Sequence, residues 1–196
     1  IKTQEDRATV LGPILGQLKK QDYNDDTKFM ALCEIINRHP NQKFIIFSER
    51  HETAFYLEQM FGISMPELRV ASVVKQTAQG EYILKNFDNE VLGMIIDFAP
   101  EANKGKPRKA GAKTFDVFIS TDAYSMGVNL QDASIVINYD LAWTADTLIQ
   151  RAGRILRFWT RPRQVHIYTF IGDYKFHTAL EKDSLQVEKR LQKLTQ

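Results

Sequence analysis

The run Gln150-Arg151-Ala152-Gly153-Arg154-Ile155-Leu156-Arg157 sets three arginines and a glutamine within eight residues. Arginine has a planar fork that matches a pair of phosphate oxygens, and its charge is permanent, so arginines recurring three residues apart point to an anion of fixed geometry. At about 100° per residue, a helix here places Leu148, Ile149, Ala152, Ile155 and Leu156 on one side. Gln150, Arg154 and Arg157 then form a stripe on the other. The sequence therefore predicts a helix with a core face and a cationic wet face. Gly153 inside such a helix costs ~1 kcal/mol relative to alanine and is explained most simply by close packing. A solvated surface helix would show the same stripe, and the helix alone does not separate the two readings.

A second candidate stretch is Thr121-Asp122-Ala123-Tyr124-Ser125-Met126-Gly127-Val128-Asn129-Leu130-Gln131-Asp132. Small polar residues here can offer hydroxyls and backbone N–H groups to a phosphate, and Gly127 permits close backbone approach. Many loops of this composition only connect elements. The four histidines, His39, His51, His166 and His177, are scattered without ligand spacing, so no metal site is expected.

The elements that must position these stretches follow from hydrophobic patterning. Residues 43–48, Lys43-Phe44-Ile45-Ile46-Phe47-Ser48, form a nearly all-apolar run that fits a strand covered on both faces. Further strands are predicted over 68–74, 115–120, 134–139 and 164–171. Helices are predicted from Asp25 or Asp26 to before Pro40, over 49–61, and in the pieces 79–87 and 90–98. The arginine helix lies between the last two strands. Strands alternating with helices imply right-handed crossovers and a parallel α/β sheet with helices on both faces. Extra helices are expected at both termini. One covers 3–19, with Thr3 and Asp6 as a capping box and Val10, Leu11, Ile14, Leu15 and Leu18 at helical spacing. The other covers 174–194. Residues 101–113 hold five basic residues and no large apolar group, which reads as a loop that either touches nucleic acid or is simply solvated.

With 43% hydrophobic residues in 196, one substantial core and one domain over 1–196 are expected. The 26 basic and 24 acidic residues give a net charge of only +2, so any anion site has to be local. A single cysteine, Cys33, excludes an internal disulfide and reads as a buried thiol in a reducing compartment. No apolar run approaches ~18 residues. No membrane partner is therefore expected, and a cytoplasmic location is. Ile1 in place of methionine fits a segment of a longer polypeptide.

Taken in order, three sets of residues are more specific than any one of them. Phe118-Ile119-Ser120-Thr121-Asp122 with Met126-Gly127-Val128-Asn129-Leu130, then Val136-Ile137-Asn138-Tyr139-Asp140, then Gln150 to Arg157 resemble motifs V and VI of superfamily-two helicases. Phe44-Ile45-Ile46-Phe47-Ser48 is similar to motif IV. The resemblance covers residues 26–171. Within the superfamily, Gly127-Val128-Asn129-Leu130 and the Gln150-Arg151 start are most similar to the Swi/Snf-like double-stranded DNA translocases, including bacterial relatives. Asp140-Leu141-Ala142-Trp143-Thr144 and Phe158-Trp159-Thr160 depart from that group's pattern.

The resemblance implies a RecA-like second motor lobe, with ATP and Mg bound mainly by a first lobe of the same polypeptide. This chain shows no G-x-x-x-x-G-K and no strand ending in Asp-Glu, so hydrolysis by the chain alone is not expected. Matched position by position, Arg154 and Arg157 are the candidate arginine fingers. Gln150 touches the phosphates or relays between lobes, while Gly127 and Asn129 lie near the ribose. Thr121, Ser48 and Arg50 are the candidate contacts to a DNA or RNA backbone. In the chain by itself, Arg154 and Arg157 are expected at the surface with little to bind. Arg161 and Arg163 either extend the cationic surface or solubilise it. Trp159 is read as core or as packing on the first lobe. Two other classes compete: a helicase-derived binding module without turnover, and a dinucleotide-binding enzyme, which the lack of G-x-G-x-x-G after any strand disfavours.

Overall fold

The computed structural model describes residues 26–104, 114–124, 128–142, 144–156 and 163–171. The predicted helices over 3–19 and 174–194, and most of the basic 101–113 loop, lie outside them, as do Gly127, Trp143, Arg157, Trp159 and Arg161. The chain divides into two compact units, Ile1–Pro40 and Asn41–Gln196.

In the first unit, α1 (Thr27–Arg38) starts where Asp26 Oδ1 accepts the backbone N–H groups of Lys28 and Phe29, at 3.0 and 2.9 Å. This satisfies two of the donors that a helix start leaves open. Phe29, Leu32 and Ile36 form its buried stripe.

The second unit is built on five parallel strands: β1 (Phe44–Phe47), β2 (Val70–Ser72), β5 (Val117–Ser120), β6 (Ile135–Asn138) and β7 (His166–Thr169). Their spatial order is β2-β5-β1-β6-β7. The three central strands are buried at every residue, as all-apolar runs require when both faces are covered. Phe47, Ser120 and Asn138 are register partners across β1, β5 and β6. Consequently Ser48, Thr121 and Tyr139 leave the sheet side by side at its carboxyl end.

Three helices belong to this sheet: α2 (His51–Ser64), α3 (Leu92–Phe98) and α4 (Ala145–Ala152). The connection through α2 runs in one direction along the sheet, and those through α3 and α4 run in the other. Right-handed crossovers then put α2 on one face and α3 and α4 on the opposite one. Phe98 of α3 accordingly packs against Phe118, with centroids 5.4 Å apart.

One predicted helix is absent. Residues 79–87 belong instead to a hairpin in which β3 (Val74–Gln76) pairs antiparallel with β4 (Tyr82–Leu84). Gly80 takes φ +86°, a left-handed turn that side-chain-bearing residues rarely adopt, and Thr77 Oγ1 accepts the Glu81 N–H at 3.1 Å. A π-helical turn (Phe87–Val91) capped by the Asn86 side chain then leads into α3.

Candidate functional site

The carboxyl ends of the central strands converge on Arg151, near the end of α4. That helix starts at Thr144, whose Oγ1 accepts the Thr147 N–H at 3.2 Å. Arg151 is fully buried. Its Nε and Nη2 donate to the two carboxylate oxygens of Asp122, at 2.7 and 2.8 Å. Nη1 donates to Asn138 Oδ1 at 3.1 Å and to the Asp140 carbonyl at 3.5 Å. The guanidinium also lies 5.2 Å from the Phe47 ring centroid. A buried cation is tolerated only when paired and fully hydrogen-bonded, and these partners come from the ends of three strands, β1, β5 and β6. Arg151 thus joins β1, β5, β6 and α4 at one point. Asn138 is held in turn by Thr169 Oγ1 of β7, which accepts from its Nδ2 at 3.2 Å.

Beside this centre, Asp140 Oδ2 accepts from Ser48 Oγ at 2.7 Å and from the Glu49 N–H at 3.1 Å. Ser48 is fully buried, whereas Arg50, at the start of α2, is exposed and makes no side-chain cap bond. Thr121 is 3% exposed, and its hydroxyl has no hydrogen-bond partner among the described residues. Of the three candidate backbone contacts, Arg50 is therefore the one whose side chain stands open.

The arginine helix is shorter than predicted, and its faces are partly reversed. It ends at Ala152, with Gly153 as its cap donating to the Ile149 carbonyl at 2.8 Å. A Cβ at position 153 would stand 3.2 Å from that carbonyl oxygen, so the close approach comes from the helix's own last turn. Because residues 154–156 follow a turn, the helical wheel does not extend to them. Ile149 and Leu156, expected in the core, are 68% and 58% exposed. Ala152 and Ile155 are buried as expected. Arg154, expected on the surface, is only 9% exposed. Gln150 is exposed, as predicted for the polar stripe.

Arg163 is neither free surface charge nor part of a cationic stripe. Its guanidinium donates to the carbonyls of Gln131, Ala133 and Ile155, tying the segment after α4 to the loop before β6. Burial pushes its pKa down. On the same side, Asn103 Nδ2 donates to the Asn129 carbonyl at 2.9 Å, and Asp132 accepts the N–H groups of Glu101 and Ala102 at 2.9 and 2.7 Å. Asn129 is half-buried. Among the described residues, no group of three His, Cys, Asp or Glu stands together as a metal site, and no helix is long and apolar enough to cross a membrane.

The carboxyl end of a parallel sheet, lined by a polar loop and by the end of a helix that carries Arg151, is where open α/β domains bind their ligands. The family model "Helicase conserved C-terminal domain" matches residues 27–158, and the chain belongs to that family. Among similar proteins, the ATP-dependent RNA helicase DBP8 of Pyricularia oryzae is 25% identical over 91% of this chain and 33% of its own length. The uncharacterized ATP-dependent helicase YqhH of Bacillus subtilis is 30% identical over 84% of this chain and 24% of its own. The chain thus spans about a third or less of these relatives. Among solved structures, the C-terminal part of the Fun30 ATPase domain aligns with a TM-score of 0.55 at 20% identity, covering 94% of this chain and 54% of that one. That likeness shows the fold, which is the RecA-like α/β arrangement expected from the motifs.

Proposed function

We propose that the chain is the second motor lobe of an ATP-dependent nucleic-acid translocase or helicase, acting on double-stranded DNA. The observation that carries this is the fully buried Arg151, which fastens the arginine segment to the strand ends beside Gln150 and Arg154. Phosphoryl transfer is accelerated by positioning and by neutralising charge, and an arginine supplied from a facing surface is worth ~10³–10⁵ in rate. Arg154 and Arg157 are assigned that role, with Arg154 swinging from its covered position when the lobes close. Gln150 and Asn129 offer polar, uncharged groups, suited to phosphate and ribose oxygens rather than to a divalent ion, and Gly127 lies in the same loop. ATP with Mg, bound mainly by the first lobe, supplies the phosphoryl group.

Arg50 is assigned to the phosphate backbone of the track, a contact that carries no base information and suits movement along any sequence. The Thr121 hydroxyl, buried without a described partner, is assigned a second contact to that backbone. Ser48 supports them by holding Asp140. Duplex DNA as the track is supported by the Gly127-Val128-Asn129-Leu130 and Gln150-Arg151 pattern. The relatives named as RNA helicases favour the second reading, an RNA track.

The test is ATP hydrolysis by the chain joined to its first lobe, with duplex DNA, single-stranded DNA and RNA compared at one salt concentration. Stimulation greatest with duplex DNA is expected. Stimulation by RNA alone establishes the second reading, and an upstream region without a phosphate loop contradicts the motor assignment altogether.

A further inference from the structure

Asp122 reaches Arg151 from a single turn of 3₁₀ helix (Asp122–Tyr124) that follows β5. So short a turn has little rigidity of its own: the Tyr124 N–H bond to the Thr121 carbonyl, at 3.2 Å, closes it. Its other end is fixed by the Tyr124 side chain. Tyr124 Oη donates to the Lys85 carbonyl at 2.8 Å, and its ring lies 5.5 Å from that of Phe87. The two contacts belong to the segment just after β4 and to the first residue of the π-helical turn. That segment is itself anchored: the Lys85 N–H donates to the Val73 carbonyl at 2.8 Å, and Lys85 Nζ lies 3.8 Å from Glu58 on α2.

We propose that Tyr124 is a positioning residue for the arginine segment, acting through Asp122. It braces the turn against the hairpin side of the domain, so that the Asp122 carboxylate faces Arg151 with both oxygens. Without the brace, the turn loses its described link to the hairpin side while the Thr121–Tyr124 backbone bond and the Arg151 pair remain, so the Asp122 carboxylate gains freedom to rotate against the fork that locates α4. The functional consequence rests on the motor reading above, whereas the effect on Arg151 does not.

Two measurements separate these claims. In the 196-residue chain, solvent exchange of the Arg151 Nε–H is followed by NMR beside the amides of Ile46 and Ile137 in the core. Tyr124→Phe keeps the ring and loses one hydrogen bond, so Arg151 exchange is expected to quicken by about threefold to tenfold while the core amides stay unchanged. Tyr124→Ala loses both contacts, and a larger effect is expected. A merely destabilising substitution would speed all three sites together, and that result, or an unchanged Arg151, overturns the proposal. In the two-lobed polypeptide, Tyr124→Phe is expected to lower nucleic-acid-stimulated kcat by a similar factor, with KM for ATP unchanged. If the parent shows no such ATPase, the motor reading fails while the exchange result still decides the brace. If the parent turns over and both variants match it, the coupling to catalysis is refuted and the motor reading stands.

Discussion

Strand β5 has an aspartate near each end, and each grips an arginine with both oxygens. At the amino end, Asp116 receives Arg69 Nε and Nη2, each at 3.1 Å, and at the carboxyl end Asp122 receives Arg151 at 2.7 and 2.8 Å. The surroundings differ more than the geometry. The side chains of Arg69 and Asp116 are 43% and 28% exposed, whereas those of Arg151 and Asp122 are 1% and 41% exposed, so the difference lies on the arginine. An exposed pair is screened by water and is worth about 0–1 kcal/mol. A buried guanidinium cannot lose its carboxylate without being stranded as a charge. The same fork is therefore an ornament at one end of the sheet and the fastening of the candidate site at the other.

That contrast is most easily broken at Arg151. Arg151→Ala leaves Asn138 and the Asp140 carbonyl without their donor, and a loss of about 3–5 kcal/mol in urea unfolding is expected. A loss below about 1 kcal/mol would put the two pairs in one class. Asp122→Ala leaves the buried guanidinium to the neutral Asn138 side chain, the Asp140 carbonyl and the Phe47 ring, and should cost a comparable amount, about 3–5 kcal/mol. Arg69→Ala should cost under about 1 kcal/mol and lose that effect in high salt.

The smallest effect expected is a pH slope at Glu58. Burial raises its carboxyl above the ordinary value, and the neighbouring Lys85 opposes this. A raised acid binds its proton more tightly folded than unfolded, so stability falls as pH rises from the ordinary glutamate value through the raised one. Glu58→Gln should flatten that part of the stability–pH curve. An unchanged slope in urea titrations would show that Lys85 cancels the burial.

Much of the fold was legible because it depends on local pattern. All-apolar runs around Ile45, Phe118 and Ile137 became the central strands, and Asp26 started its helix as a cap. The hairpin over 79–87 was misread as helical, while the left-handed turn at Gly80 and the two-residue spacing of Tyr82 and Leu84 decide for strands. Arg151 was overlooked as a structural centre for a different reason. Whether an arginine is wet depends on what faces it, and here its partners lie 13 and 29 residues away. One signal was available: Asn138 closes an apolar strand, and a polar side chain in that place needs a buried partner. The wheel failed at Leu156 because the helix stops at Ala152, whereas Ile149 lies within the helix and is exposed on it.

The proposed division of labour inside one motif, with Arg151 building and Arg154 assigned to act, is tested most directly by Arg154→Lys in the two-lobed polypeptide. Lysine keeps the charge and much of the volume but loses the fork. The expected result is a fall in nucleic-acid-stimulated kcat of about a thousandfold with the unfolding midpoint nearly unchanged. Turnover within about threefold of the parent, at the same nucleic-acid and salt concentrations, would contradict it.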